Sequence, residues 1–468
     1  MSNAGQKDLV VIGAGPGGYP AAFRAADLGM KVALVDPRAD PGGVCLYCGC
    51  VPSKALLHVA AFLHEVELAP QWGVSVGTPQ VDIEKLRGWK RSVVENLTKG
   101  LGQLVRQRGI DYIRGRASLE NAHRAVVTTT EGEKRPIDFE NAIVATGSAP
   151  ATIPDTPRSV RIMNSQQALE PQTIPPRLLV VGGGYIGLEL GQVYAALGSK
   201  VTVVEMMPEI LSGADRDLMR FLSKRLNAQF ESIVTGTRVT KMEETDAGIR
   251  VVFEGTHGGE DVFDKIMISV GRKPLTKELG LESTHVSLTE KGFIEVDGQR
   301  RTAEPSIFAV GDVAGEPMLA HKATHEGVVA AEAAAGKKTA FEPQAIPFVV
   351  FSDPEIAWCG LSETEARKRA RKVNITTFPW AASGRAATVS RPDGVTKLLC
   401  DPENGRILGV GIAGPGAGEL LAEAVLAIEM GATADDLALT IHTHPTLSET
   451  LMEAGQAFSG FSTHFKRK

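Results

Sequence analysis

Cysteine is scarce, five in 468 residues, and three of the five crowd into the stretch GGVCLYCGCVPSKALL at positions 42–57. Positive charge is not in excess either. Fifty Lys and Arg stand against 55 Asp and Glu, a formal charge of −5, which leaves no electrostatic footprint for nucleic acid. The one basic run, Arg367 to Lys372, reads as a solvated helix face. Long apolar runs are missing, because Gly and Pro interrupt every candidate, so no membrane span is expected. The first residues, MSNAGQKD, hold neither an apolar signal core nor an Arg-rich transit pattern. These absences predict a soluble protein of the bacterial cytoplasm or a mature organellar one. What remains is ordinary for a globular chain: 43% hydrophobic and 22% charged residues, with length for about three domains.

In a reducing compartment, clustered cysteines serve catalysis or metal binding more often than structure. Cys45, Cys48 and Cys50 allow three pairings: a CxxC, a strained short ring, or a CxxxxC loop. A zinc half-site would need Cys359, Cys400 or a distant His, and the paired ligand spacing is absent, so no metal is expected. Pro52 and the apolar run after it put Cys50 at a helix N-terminus, where the dipole favours a thiolate.

The chain also repeats a unit. Asp8 to Ile12 runs into Gly13-Ala14-Gly15-Pro16-Gly17-Gly18, an Ala-rich helix, and Lys31 to Asp36. Further on, Leu178 to Val181 runs into Gly182-Gly183-Gly184-Tyr185-Ile186-Gly187, a helix, and Lys200 to Glu205. Gly13 and Gly182 suit the tight turn, Gly15 and Gly184 the approach of a pyrophosphate, and Gly18 and Gly187 close helix–strand packing. The helix N-terminus receives phosphate, and Asp36 and Glu205 can accept hydrogen bonds from a ribose diol. One such loop is a weak signal; two in the same context predict two dinucleotide sites. A carboxylate at Glu205, with no Arg before Arg216, favours NAD over NADP at the second.

Gly42-Gly43-Val44-Cys45-Leu46-Tyr47-Cys48-Gly49-Cys50-Val51-Pro52-Ser53-Lys54 resembles GGTCxNxGCxPSK, the redox motif of the flavoprotein disulfide oxidoreductases, and in particular of the dihydrolipoamide dehydrogenases among them. The chain departs from it at Tyr47, usually Asn, and Cys48, usually aliphatic; Cys48 reads as a small apolar filler. The resemblance covers nearly the whole chain and implies an α/β fold. Two Rossmann-like dinucleotide-binding domains would be joined by a C-terminal α+β dimerisation domain. The implied divisions are 1–150 and 275–345 for FAD, 151–274 for NAD and 346–468 for the interface.

The resemblance implies an active disulfide between Cys45, the exposed interchange sulfur, and Cys50, the sulfur against the flavin. It assigns Gly13, Gly15, Gly18, Asp36, Gly43, Lys54, Thr146, Gly147, Asp312, Leu319 and Ala320 to FAD. It assigns Gly182, Gly184, Gly187, Glu205 and Gly271 to NAD. Lys54 and Glu189 would pair beside the flavin, Tyr185 would gate the nicotinamide, and His321 is a packed residue. Near the C-terminus, Ile441-His442-Thr443-His444-Pro445-Thr446-Leu447-Ser448-Glu449 offers an imidazole and a carboxylate. Thiol exchange needs such a base, and the family pattern selects His444 with Glu449, reaching the disulfide of a partner subunit. The implied enzyme is a homodimeric dihydrolipoamide:NAD oxidoreductase of a 2-oxo acid dehydrogenase or glycine cleavage complex, meeting its lipoyl group on a separate protein. The rivals are a reductase of another small disulfide and a mainly structural subunit.

Overall fold

The computed structural model describes residues 6–466; Met1 to Gly5, part of the stretch read for a missing signal core, lie outside them. A five-stranded parallel arrangement occurs twice. In the first sheet the strand order is Asp111–Asn121, Val32–Asp36, Lys7–Ile12, Lys134–Val144, Ile307–Ala309. Leu9 stands between Val32 and Asn141. In the second sheet the order is Ser232–Val234, Lys200–Val204, Arg177–Val181, Lys265–Ile268, Ile162–Asn164. There Leu178 stands between Val201 and Lys265. Each sheet has an antiparallel companion. Arg124–Thr129 pairs with the outer halves of Asp111–Asn121 and Lys134–Val144, and Thr237–Thr245, Gly248–Gly255 and Gly259–Phe263 form the counterpart.

The central strands read as near-continuous apolar runs because both faces are covered. Val10 and Ile12 belong to one buried cluster and Leu9 and Val11 to another, on opposite faces. Leu178 and Val180 divide from Leu179 and Val181 in the same way. The chain leaves the first unit and re-enters it through a short antiparallel pair, Ser148–Pro150 with Arg272–Pro274. A third, antiparallel sheet follows, in the order Phe348–Val350, Ile356–Gly360, Ile407–Ala413, Val395–Cys400, Asn374–Pro379. The fold is therefore two Rossmann-like units and a C-terminal α+β unit.

One element departs from the sequence reading. Gly43–Trp72 is a 30-residue helical stretch that could cross a membrane by length and composition alone. Gly49 marks the junction of two helices, Gly43–Cys48 and Cys50–Leu68. Pro52 sits in the first turn of the second, where its missing N–H is not needed. The longer helix packs on Tyr185–Ala196 and Ile83–Gln107, and Leu56 enters the core of the second unit. The basic run also differs from a single helix face. Only Arg367 and Lys368 are helical, in Glu363–Lys368.

The second and third units are tied by a buried lysine. Lys397, wholly inaccessible, places Nζ 2.8 Å from Asp215 Oδ2, 2.7 Å from Asp217 Oδ1 and 3.5 Å from Glu363 Oε2. The three carboxylates could together hold a cation, and the ammonium fills that role. Burial would lower the lysine pKa, but Asp215 and Asp217 outweigh it and raise it. Burial would raise the Asp215 carboxyl, but Lys397 and the N–H groups of Glu363 and Thr364 hold it below its usual value. Removing one member of such a cluster strands the others, at about 3–5 kcal/mol. We expect Lys397→Met to lower folding stability by about that amount in chemical denaturation. A change under about 1 kcal/mol would show that the cluster is dispensable.

Candidate active site

The two glycine loops are built alike. In each, the helix lies on its strand at a separation only glycine allows. A Cβ on Gly18 would fall 1.8 Å from Gly13 O, and one on Gly187 2.2 Å from Gly182 O. The terminal carboxylate then ties the loop down. Ala14 N donates to Asp36 Oδ2 at 2.9 Å and Gly183 N to Glu205 Oε2 at 2.6 Å. Arg38 N and Met207 N donate to the other oxygens at 3.0 and 2.7 Å. Each carboxylate oxygen keeps a second lone pair, so both groups can still accept from a ribose. Gly184 has open space where a Cβ would project, room for a phosphate at the N-terminus of helix Tyr185–Ala196. These features fit an NAD at the second loop. Gly271 lies beyond this loop, in left-handed backbone, with its carbonyl accepting from Ala151 N.

A cavity of about 540 Å³ opens at the first loop, within the usual range for a cofactor site. Gly13, Gly15, Asp36 and Gly43 line one end. Gly43 approaches Gly15 so closely that its Cβ would lie 2.4 Å from the Gly15 Cα. Thr146, Gly147, Asp312 and Ala320 line another part. Leu319 is the N-cap of helix Ala320–Ala334, and Gly18 lies behind the loop. The Thr146 hydroxyl donates to Leu275 O at 2.7 Å, so its side chain is already engaged. Asp312 accepts from the Ser148 hydroxyl, which itself accepts from Arg272 Nε at 2.7 Å. The turn before Asp312 is fixed from below: Gly311 N donates to the fully buried Glu326 at 2.7 Å, and Arg300 and Lys322 neutralise that carboxylate at 2.8 Å each. A glycine cradle, a ribose carboxylate, a helix N-terminus and Asp312 around one cavity fit FAD. Sequence reasoning missed Ser148 and Glu326, for which no local signal exists.

Cys45, Cys48, Cys50, Lys54, Tyr185 and Glu189 line the same cavity. Cys45 lies in the helix Gly43–Cys48, and Cys50 opens the next helix, as its position before Pro52 predicts. None of the five cysteines is bonded to another. The Cys45 thiol hydrogen-bonds Cys50; that contact, then the Lys54 ammonium, outweighs burial and brings the Cys50 thiol down to about 7. The same contact, with burial, pushes Cys45 far up. Cys50 faces the cavity, and Cys45, half-buried, lines it as well. Cys48 lines the cavity. It is half-buried and accepts from Arg38 at 3.5 Å, though burial still raises its thiol. Tyr47 donates to Asp40 O at 2.9 Å, under the Arg38 guanidinium.

Lys54 and Glu189 form an ion pair at 2.8 Å across the two units. Tyr185 begins the helix that carries Glu189, and burial raises its hydroxyl to about 12. His321 is exposed rather than packed, with its Nε2 2.8 Å from Pro347 O. His444 and Glu449 do not line the cavity, but they do meet each other, Nδ1 to Oε1 at 2.9 Å. Burial would raise the Glu449 carboxyl, yet the Thr446 N–H and His444 outweigh it and hold it low.

Comparisons with known proteins identify the family. Residues 7–327 match the family described as pyridine nucleotide-disulphide oxidoreductase, and residues 346–455 match its dimerisation domain, which supports a homodimer. A dihydrolipoyl dehydrogenase of Vibrio parahaemolyticus is 45% identical, with 100% of this chain and 99% of that protein covered. One of Thermus scotoductus is 46% identical, with 98% of each covered. The crystal structure of LpdA from Mycobacterium tuberculosis superposes with a TM-score of 0.90 at 26% identity, covering 96% of this chain and 99% of that one.

With its pKa lowered to about 7, Cys50 is protonated below that pH and a thiolate above it. We expect the ultraviolet thiolate absorbance of the reduced protein to rise through about pH 7, and Cys50→Ser to remove that step. A step that survives the substitution would place the acidic thiol elsewhere.

Proposed function

The chain belongs to the pyridine nucleotide-disulphide oxidoreductase family, and from that premise we propose that it is a dihydrolipoamide dehydrogenase. It oxidises protein-bound dihydrolipoamide to lipoamide and reduces NAD. The observation that carries the reading is the Cys45–Cys50 thiol contact one helical turn from Lys54, in the cavity of the first glycine loop. Gly13, Gly15, Gly18, Asp36, Gly43, Thr146, Gly147, Asp312, Leu319 and Ala320 hold FAD. Gly182, Gly184, Gly187, Glu205 and Gly271 hold NAD.

His444, its Nδ1 proton anchored on Glu449, takes a proton from one thiol of the substrate at Nε2. The thiolate attacks Cys45 of the oxidised Cys45–Cys50 pair; a substrate–Cys45 bond forms and Cys50 leaves as a thiolate. The second substrate thiol then attacks the sulfur bonded to Cys45, lipoamide departs, and Cys45 keeps the electrons of the broken bond. Lys54 favours the Cys50 thiolate electrostatically. FAD, when bound, supplies the two-electron chemistry that carries the reducing equivalents from this pair to NAD. Because His444 does not line its own chain's cavity, the base serves the disulfide of the second subunit. The partner is a lipoyl-bearing acyltransferase or carrier protein, and the work is done in the cytoplasm.

The test is an anaerobic titration of the holoenzyme with dihydrolipoamide, followed by NAD. A long-wavelength thiolate–flavin band that NAD discharges as NADH supports the assignment; a flavin left oxidised overturns it. We expect Cys45→Ser and Cys50→Ser each to abolish lipoamide-linked turnover with FAD retained. His444→Gln should lower turnover by about 10²–10⁴-fold, the usual worth of a general base. Normal turnover in any of the three would remove that residue from the mechanism.

A further inference from the structure

The Lys54–Glu189 pair is gripped from a third direction. While Glu189 Oε2 takes the Lys54 ammonium at 2.8 Å, Glu189 Oε1 accepts the backbone N–H of Phe351 at 2.9 Å. The ring of the same Phe351 lies under the ammonium, with Nζ 4.5 Å from its centroid. One helical turn after Glu189, Gln192 makes a reciprocal pair with the backbone of Asp353, accepting from its N–H at 2.8 Å and donating to its carbonyl at 3.0 Å. Asp353 is in turn held by Arg391 and lies 3.7 Å from Arg225 and 3.8 Å from His64. The strap from Phe351 to Asp353 belongs to the C-terminal unit. It is read by Lys54 and His64 from the first unit and by Glu189, Gln192 and Arg225 from the second.

We propose that Phe351 is a positioning residue for Lys54: its ring holds the ammonium and its N–H orients the carboxylate, so the C-terminal unit fixes where the cation stands relative to Cys50. The inference rests on the proposed function. Its physics is local. An ammonium over an aromatic face is attracted by the ring quadrupole, and a lysine stem free of that hold can swing its charge into water. Lys54 follows Cys50 by one turn on the same helix face, so a displaced ammonium weakens its field at the sulfur. The other charged or titratable groups acting on Cys50 are Cys45 on the preceding helix and Glu189 and Tyr185 on the facing one. None of these is touched by trimming the Phe351 ring.

The experiment compares wild type, Phe351→Leu, Phe351→Met and Phe351→Tyr as holoenzymes, each reduced anaerobically with dihydrolipoamide and titrated with pH while the thiolate–flavin band is followed. Loss of the aromatic face in the Leu and Met variants should move the midpoint upward by about half a unit to one unit. The Tyr variant, which keeps the face, should titrate as wild type. FAD content and dimer mass identify any variant that has merely misfolded, and the second non-aromatic variant covers the loss of one. Leu or Met variants that titrate with the wild-type midpoint overturn the proposal, as does a Tyr variant shifted as far as they are. If wild type itself shows no thiolate–flavin band, the proposed function fails instead. The same four proteins, followed by ultraviolet thiolate absorbance, then decide the role of Phe351 alone.

Discussion

Everything in this molecule is arranged around a contact that only glycine can make. Where the helix after each glycine loop crosses the strand before it, the backbone of Gly18 or Gly187 lies against the carbonyl of Gly13 or Gly182, so that a Cβ would fall only 1.8 or 2.2 Å from that oxygen. That approach brings the helix N-terminus, with its unsatisfied N–H groups and positive dipole end, over the end of the sheet. The next strand then ends in a carboxylate that accepts from the loop, Asp36 from Ala14 and Glu205 from Gly183. Turn, phosphate seat and ribose acceptor are thus one interlocked structure. The two copies stand in one molecule with Lys54 and Glu189 joined between them.

Burial of charge between the units serves geometry more than net stability. The apolar cluster that joins Leu56, Val350, Ile356 and Val395 to the second sheet supplies the attraction. An ion pair in such a place roughly breaks even against an apolar replacement, because desolvation offsets its Coulomb energy. What Lys397 with Asp215 and Lys54 with Glu189 add between the units, and Glu326 with Arg300 and Lys322 within the first, is direction. A slipped packing of the same apolar faces would strand a charge. Glu326 shows the consequence for the site: it holds Gly311 N, and the next residue, Asp312, faces the cavity.

The parts legible in the sequence are those in which local sterics dictate residue type. The paired glycine loops, their terminal carboxylates and the placing of Cys50 at a helix start could all be read without tertiary information. The Lys54–Glu189 contact came from the resemblance, since nothing in either helix names the other across 135 positions. Lys397 stayed hidden for the same reason: its strand Val395–Cys400 is buried at every position, and its partner Asp215 is 182 positions away. The helix under Cys45 escaped notice because Gly43–Cys48 is six residues long with no side-chain cap. The apolar stretch through Trp72 stays helical because Gly49 and Pro52, which look like breakers, sit where a junction and a first turn tolerate them.

The two C-terminal histidines show how far geometry narrows what a motif leaves open. Both face a glutamate at 2.9 Å: His442 meets Glu423 and His444 meets Glu449. A base, however, needs one nitrogen anchored and the other free. His442 has Nε2 on Glu423 and Nδ1 2.9 Å from Thr440 O, with its side chain only 5% exposed, so neither nitrogen is open to a proton from outside. In His444 the carboxylate takes Nδ1 and the side chain is 71% exposed. Its Nε2 has no hydrogen-bond partner among the described residues, so the lone pair there faces outward. Glu449 is itself fixed by the Thr446 N–H at 2.7 Å, so the imidazole is aimed rather than merely accompanied. A ring so anchored and so exposed, outside its own chain's cavity, is suited to a thiol that another surface brings to it.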